Sequence, residues 1–257
     1  MEPVLQARNL SKVFSSPGRK DFTAVSHVSF DLLPGECLGV IGESGSGKTT
    51  LANMIARLTD PTEGSIILNG RDITRANGAE LRRVYGELQM VFQTPVESFD
   101  PRRTLGDGIG ESLRNRGMSV SGVKKELSRL LELCGLPADF AGRYPHQVSG
   151  GECQRAAIAR AIALRPSVLI CDEATSALDV TIQAEILSLL ADLRRELKMS
   201  YLFICHDIAL VQAFCNRALV MCRGALVEEG TPDGIIRNPK DEYTRKLIDS
   251  VLYCIGK

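Results

Sequence analysis

The sequence predicts an α/β fold: a parallel sheet with helices, preceded by a strand-rich section and split by an inserted helical stretch. Three observations carry that prediction. After Arg165-Pro166, strand and helix signals alternate, the pattern of a parallel sheet. A short apolar run, a glycine-rich loop and a helical run stand in that order over residues 37–58. Between roughly Thr94 and Leu164 the spacing is helical, with breaks at Pro101, Gly117, Gly135-Leu136-Pro137 and Pro145.

The elements follow in order. Val4 to Leu10 and Val25 to Leu32 alternate apolar and polar residues, as half-buried strands do. A turn at Pro34-Gly35 leads into Cys37–Ile41, a five-residue apolar strand. The run Thr50 to Leu58, with Leu51, Met54, Ile55 and Leu58, has helical spacing. Ser65 to Leu68, bounded by Gly64 and Asn69-Gly70, reads as a hairpin arm, and Val84 to Phe92 as a further apolar strand. In the middle section Val123, Leu127, Leu130, Leu131 and Cys134 mark an amphipathic helix. Then come a strand at Val168–Cys171, a strong helix from Ile182 to Leu197, and strands at Tyr201–Cys205 and Ala218–Met221. Leu247, Ile248, Val251 and Leu252 mark a closing helix from Tyr243.

Composition bounds the function classes. A chain of 257 residues with 44% hydrophobic content supports a sizeable core of one domain with a second lobe, or two small domains. Basic and acidic residues balance at 31 each, so no charge excess points to a nucleic-acid partner. No apolar run approaches the ~20 residues that cross a bilayer, and Met1-Glu2-Pro3-Val4 lacks the marks of a signal peptide. The chain is therefore expected in the cytosol. Its eight cysteines show neither C-x-x-C nor zinc spacing and read as reduced thiols.

The chemistry begins at Gly42-Glu43-Ser44-Gly45-Ser46-Gly47-Lys48-Thr49-Thr50, a full match to the phosphate-binding pattern G-x-x-x-x-G-K-[ST]. Glycines let such a loop curl around a phosphate chain, Lys48 reaches the β- and γ-phosphates, and the Thr49 hydroxyl suits Mg²⁺. A second piece is Val168-Leu169-Ile170-Cys171-Asp172-Glu173: a buried strand delivering carboxylates at its C-terminal end, where open α/β sheets bind ligands. Asp172 would hold Mg²⁺ through its water shell, and Glu173 would act as general base on water. A third is Ser149-Gly150-Gly151-Glu152, which opens a helix with Ala156, Ile158, Ala159 and Ile162 in its stripe. Taken alone, a serine cap with flexible glycines accounts for it.

Together with Gln93, Ser176-Ala177-Leu178-Asp179 and His206, these motifs stand in an order and spacing that resembles the nucleotide-binding subunits of ABC transporters across nearly the whole chain. The resemblance implies a P-loop NTPase core, formed by residues 1–93 with 166–232 and including an antiparallel β section. It also implies a helical subdomain at 94–165 and a C-terminal helical segment at 233–257. It implies ATP and Mg²⁺ as cofactors. Gly42 to Thr50 would be the Walker A loop, and Phe14 the aromatic that stacks on adenine. Gln93 would contact Mg²⁺ and the attacking water, and Asp172 and Glu173 would be Walker B and its base. Ser149, Gly150, Gly151 and Glu152 would be the signature that reaches a partner's ATP, Asp179 would communicate across the dimer, and His206 would contact the γ-phosphate. His27 and His146 fit no catalytic pattern.

Within that family, Met90 to Pro95, Ser98 to Arg102, Ser176 to Ala184, Glu152-Cys153-Gln154-Arg155 and Asn238-Pro239 through Tyr243-Thr244 resemble the peptide and nickel importer branch, in particular its second ATPase. That resemblance implies a different second ATPase, two membrane permease subunits and an external substrate-binding protein as partners. It implies a place at the cytoplasmic face of the membrane, and peptides or nickel and metal chelates as cargo. Three departures stand out: Val-Ser-Gly-Gly-Glu at 148–152, Glu-Ala-Thr at 173–175, and Asp241-Glu242 before Tyr243-Thr244. Only Cys254 lies near the C-terminus, so no iron–sulfur cluster is expected. The alternative is a soluble ABC-type ATPase uncoupled from transport. Such proteins usually carry long coiled-coil insertions or tandem cassettes, neither of which is apparent here.

Overall fold

The structure, a computed structural model, describes residues 2–18, 20–175 and 178–255, with side chains through residue 249. Ser176 and Ala177 and the side chains of Val251, Leu252 and Cys254 lie outside the described residues. The order is β1 (Leu5–Phe14), β2 (Phe22–Leu32), β3 (Cys37–Ile41), α1 (Lys48–Ile55), β4 (Glu63–Leu68), β5 (Arg71–Asp72), α2 (Gly78–Glu87), β6 (Leu88–Val91), α3 (Leu105–Asn115), α4 (Val120–Leu133), α5 (Gly150–Ile162), β7 (Val168–Asp172), α6 (Val180–Leu197), β8 (Ser200–Ile204), α7 (Ile208–Phe214), β9 (Arg217–Cys222), β10 (Ala225–Gly230), α8 (Pro232–Arg237) and α9 (Glu242–Ile255).

Two sheets result. An antiparallel sheet runs β2-β1-β4-β5, and a larger one runs β10-β9-β3-β8-β7-β6. In the larger sheet β3 lies parallel between β8 and β9, β7 between β8 and β6, and only β10 is antiparallel. Side chains alternate across these strands. Leu38, Val40, Ile170, Leu202, Ile204, Leu219 and Met221 face a core shared with α1 and the antiparallel sheet. Cys37, Ile41, Leu169, Cys171, Tyr201, Phe203 and Val220 face a second core shared with the helices. Both faces of the parallel strands are therefore covered, which is why they read as unbroken apolar runs. The Tyr201 hydroxyl, buried in the second core, is satisfied by donating to the Leu190 carbonyl at 2.9 Å.

Two local expectations need correction. Val84 to Phe92 is not one strand: residues 78–87 form α2, and the strand starts at Leu88. Leu81 and Val84, three apart, turn toward the first core on either side of the exposed Arg82 and Arg83, the spacing of a helix face and not of a strand. Second, the chain after Met221 continues through a tight turn at Arg223-Gly224 into β10, which the sequence reading did not anticipate. The half-exposed strand Ala225–Gly230 carries two glutamates and lacks the apolar run that marks its neighbours.

Candidate functional site

The loop between β3 and α1 has the backbone its sequence demands. Gly42, Gly45 and Gly47 take φ of 153°, 78° and 101°. At Gly47 a side chain is also excluded by space, since a Cβ would lie 2.3 Å from the Ala24 carbonyl oxygen. Lys48 opens α1 with its ammonium turned back into the loop, donating to the carbonyls of Gly42 at 2.7 Å and Glu43 at 2.8 Å and to the Ser46 hydroxyl at 3.4 Å. Burial lowers the pKa of this ammonium, while Glu173 and Asp172 pull it back up. The first N–H groups of α1, on Lys48, Thr49 and Thr50, have no partner within a helix. With the positive end of the helix dipole they form an anion site.

Asp172 ends β7 beside this loop. The Thr49 hydroxyl donates to its Oδ1 at 3.4 Å. Burial pushes the Asp172 carboxyl up to about 6, with Glu173 adding to the effect, and Thr49 and Lys48 oppose it. A hydroxyl and a carboxylate at one point are hard oxygen donors, the set that suits Mg²⁺ shared with substrate phosphates. Glu173 follows in a left-handed backbone conformation, φ 47°, which costs a non-glycine residue roughly 1–2 kcal/mol. Its N–H donates to the Ile204 carbonyl at 3.0 Å, which ties the strained residue to the end of β8. His206 Nδ1 lies 3.8 Å from Glu173 Oε1. The turn that presents His206 is braced by Asp207, whose N–H donates to the buried Cys205 sulfur at 3.2 Å. Lys48, Thr49, Asp172, Glu173 and His206 thus gather at the C-terminal ends of β3, β7 and β8.

The other residues singled out by sequence lie elsewhere on the chain. Ser149 caps α5, and its bonds are reciprocal: the Glu152 N–H donates to Ser149 Oγ at 3.3 Å, and the Ser149 N–H donates to Glu152 Oε2 at 2.7 Å. These bonds hold the Glu152 carboxyl below its ordinary range. Glu152 therefore serves its own helix in this structure, a role the spacing S-x-x-E could have revealed. Gly151 sits against α6, where a Cβ would come within 2.7 Å of Ile182 Cγ2. Asp179 caps α6, accepting from the Ile182 N–H at 3.0 Å. Phe14 closes β1 with 45% of its surface exposed and Lys12 Nζ 5.2 Å from its ring centre, so it is not a core residue. Gln93 is exposed just past β6.

Some groups that shape the loop escaped the sequence reading. The turn between β9 and β10 buttresses it: the Gly224 N–H donates to the Ser46 carbonyl at 2.9 Å, and the Gly224 carbonyl accepts from Ser26 at 2.8 Å. Tyr243 of α9 accepts from the Glu43 N–H at 2.9 Å. No group of three or more His, Cys, Asp or Glu side chains able to hold a metal occurs among the described residues. No helix among them is long and apolar enough to cross a membrane.

Known proteins resemble this chain in sequence and in fold. The family profile described as ABC transporter matches residues 25–176. The glutathione import ATP-binding protein GsiA of Salmonella choleraesuis (strain SC-B67) is 44% identical over 258 residues, covering 97% of this chain and 41% of the relative. Its counterpart from Escherichia coli O157:H7 is 45% identical over 259 residues. The chain thus spans about 41% of the length of these curated relatives. The ATP-binding cassette MJ0796, in a dimeric post-hydrolysis state bound to ADP and phosphate, superposes with a TM-score of 0.81 at 29% identity, over 89% of this chain and 98% of its own. CbiO1 from Clostridium perfringens, part of the ABC transporter complex cbiONQ, superposes with a TM-score of 0.82 over 100% of this chain and 98% of its own; at 23% identity the likeness is one of fold. With its family profile matched and its fold shared with such cassettes, this chain belongs to the ABC transporter family as an ATP-binding cassette.

Proposed function

We propose that this chain is the ATP-hydrolysing subunit of an ABC importer, and that it acts in a pair of cassettes. The observation that carries the reading is the cluster at the sheet's C-terminal edge, where Glu173 and His206 stand together next to Lys48, Thr49 and Asp172. Gly42 to Thr50 binds the phosphates and Phe14 stacks on the adenine. Thr49, Asp172 and Gln93 would hold Mg²⁺, which would supply charge neutralisation at the phosphate oxygens. Glu173 takes the proton of the attacking water as general base. His206 contacts the γ-phosphate and lies close enough to Glu173 to orient it. Ser149 to Gly151 of one cassette closes over the ATP of the other, and Asp179 lies at that junction. MJ0796, solved as a dimer with ADP and phosphate, supports the paired arrangement.

The division of labour follows the chain. Residues 1–93 with 166–232 hold nucleotide, 94–165 carry the signature, and 233–257 form an appended segment. The cassette sits at the cytoplasmic face of the membrane, and two permease subunits and an external binding protein on the far side complete the importer. GsiA is named for glutathione import, and glutathione is a short peptide, which favours peptides over nickel chelates as cargo. The test is purification from native membranes. The chain should co-purify with permease subunits and hydrolyse ATP. In that complex Glu173→Gln should keep ATP binding and lose about 100-fold or more in turnover, the usual worth of a general base. ATP hydrolysis with no membrane partner would favour the soluble alternative, and unchanged turnover in Glu173→Gln would remove the base assignment.

A further inference from the structure

The phosphate loop is held from its outer side by a residue 200 positions away in sequence: the Glu43 N–H donates to the Tyr243 hydroxyl at 2.9 Å. The carbonyl of the same Glu43, with that of Gly42, accepts from Lys48 Nζ. Glu43 is thereby gripped on both sides, by Lys48 through its carbonyl and by Tyr243 through its amide. Where this arm of the loop sits also sets where the Lys48 ammonium sits.

Tyr243 is itself well anchored. Its N–H donates to Asp241 Oδ1 at 2.8 Å, an Asx-type turn that starts α9. Glu228, nearly buried on β10, accepts from the N–H groups of Lys240 and Asp241 at 3.0 and 3.1 Å, which staples the start of α9 to the sheet. Behind Tyr243, the side chains of Leu247 and Ile248 are buried in the helical-side core. The β9–β10 hairpin that supplies Glu228 is the one whose Gly224 bonds Ser46. Two contacts on the phosphate loop, at Glu43 and Ser46, therefore converge on one structural unit made of β10 and α9.

We propose that Tyr243 is a positioning residue for nucleotide binding: through its hydroxyl, the C-terminal helix fixes the Glu43 peptide and with it the arm of the loop on which Lys48 rests. The proposal rests on the reading of Gly42 to Thr50 as the ATP site. Tyr243 touches no reacting atom; it acts through Glu43.

Tyr243→Phe in the full chain tests it, since the ring and its packing stay and only the acceptor is lost. A single neutral hydrogen bond corresponds to about two- to tenfold in an equilibrium. The affinity for a fluorescent ATP analogue should fall by that factor, and the loss should appear in KM for ATP more than in kcat. Hydrogen exchange at the Glu43 amide should speed up by a similar factor, with the thermal midpoint of the nucleotide-free chain falling by no more than a few degrees, the scale of one lost hydrogen bond. An unchanged analogue affinity and unchanged Glu43 exchange would overturn the proposal. Lys48→Ala, measured alongside, separates the two levels. If it loses binding while Tyr243→Phe does not, Tyr243 alone is excluded. If Lys48→Ala binds as well as the unaltered chain, the ATP site falls, and the positioning role with it.

Discussion

At the scale of single residues, the site spends stability on function, and Asp172 shows how much. Asp172 as a residue is 7% exposed and its pKa is pushed up to about 6, against about 3.9 in an unfolded chain. Below pH ~4 both states keep the proton, and the group is neutral toward stability. Between about pH 4 and 6 the unfolded chain sheds its proton first, so folding loses ground. Above pH 6 the whole penalty stands, roughly 2–3 kcal/mol from two units at about 1.4 kcal/mol each. Asp172→Asn should therefore melt higher than the unaltered chain at pH 8 in metal chelator without nucleotide, and match it near pH 4. Its ATP turnover should nevertheless collapse, because a neutral amide cannot hold Mg²⁺ as the carboxylate would. Thermal melts at the two pH values, paired with ATPase assays, check both halves; a lower melting point at pH 8 would contradict the burial argument. The loop lysine and the strand-end acid pair were legible in the sequence because each is part of a short pattern, whereas His206 entered only through the family resemblance, since a lone histidine after an apolar strand is usually structural. The Tyr243 contact was not legible, because no local pattern joins residues 200 positions apart.

At the scale of elements, α5 carries the sharpest prediction. Its first turn is closed by the reciprocal Ser149–Glu152 bonds and backed by α6 at Ile182. Ser149→Arg puts a bulky cation where a helix N-terminus would meet a partner's phosphates. The expected outcome is a drop of about 100-fold in turnover of the assembled pair, the scale on which removing a stabiliser of developing negative charge acts. Loss of the serine cap should cost only about 1 kcal/mol of stability. ATP binding by the altered chain's own loop should survive, because Lys48, Thr49 and Asp172 are untouched. Equal loss of binding at its own loop would refute the cross-pair site. The elements themselves were read unevenly, for physical reasons. Strands covered on both faces announce themselves as apolar runs, so β3, β7, β8 and β9 were found to within a residue or so. The helix α2 was read as part of a strand because its buried face is only Leu81 and Val84. The strand β10 was missed because it is an edge strand with Glu228 and Glu229 in its middle, held by its partner β9 and not by its own composition.

At the scale of the whole molecule, the proposed importer role raises the question of how nucleotide chemistry would reach a membrane partner. No helix among the described residues is long and apolar enough to cross a membrane, and an importer subunit of the kind proposed would couple through its surface. One apolar groove lies between the sheet core and the helical section: Leu58, Tyr85, Met90 and Phe92 line it, with Arg160 of α5 at its edge. Leu58, Phe92 and the neighbouring Val96 are 51%, 37% and 47% exposed, large apolar side chains left in water beside Gln93. Arg160 stacks on Phe99 and donates to the Ser98 carbonyl, so α5, which begins at the signature, is physically tied to this rim. Such a connection would let the proposed closure over a partner's ATP at Ser149 and movement at Gln93 occur together. We expect a helix of a permease subunit to dock here. Val96→Cys, treated with a short bifunctional thiol reagent in the membrane-purified complex, should crosslink to a permease subunit carrying a matching cysteine. Phe92→Asp should weaken that crosslink while the chain's own ATP binding, governed by Lys48 and Thr49, stays within about twofold of the unaltered chain. Were the complex to purify intact and Val96→Cys still reach no membrane partner across a scan of permease cysteines, the coupling surface would have to lie elsewhere on the cassette.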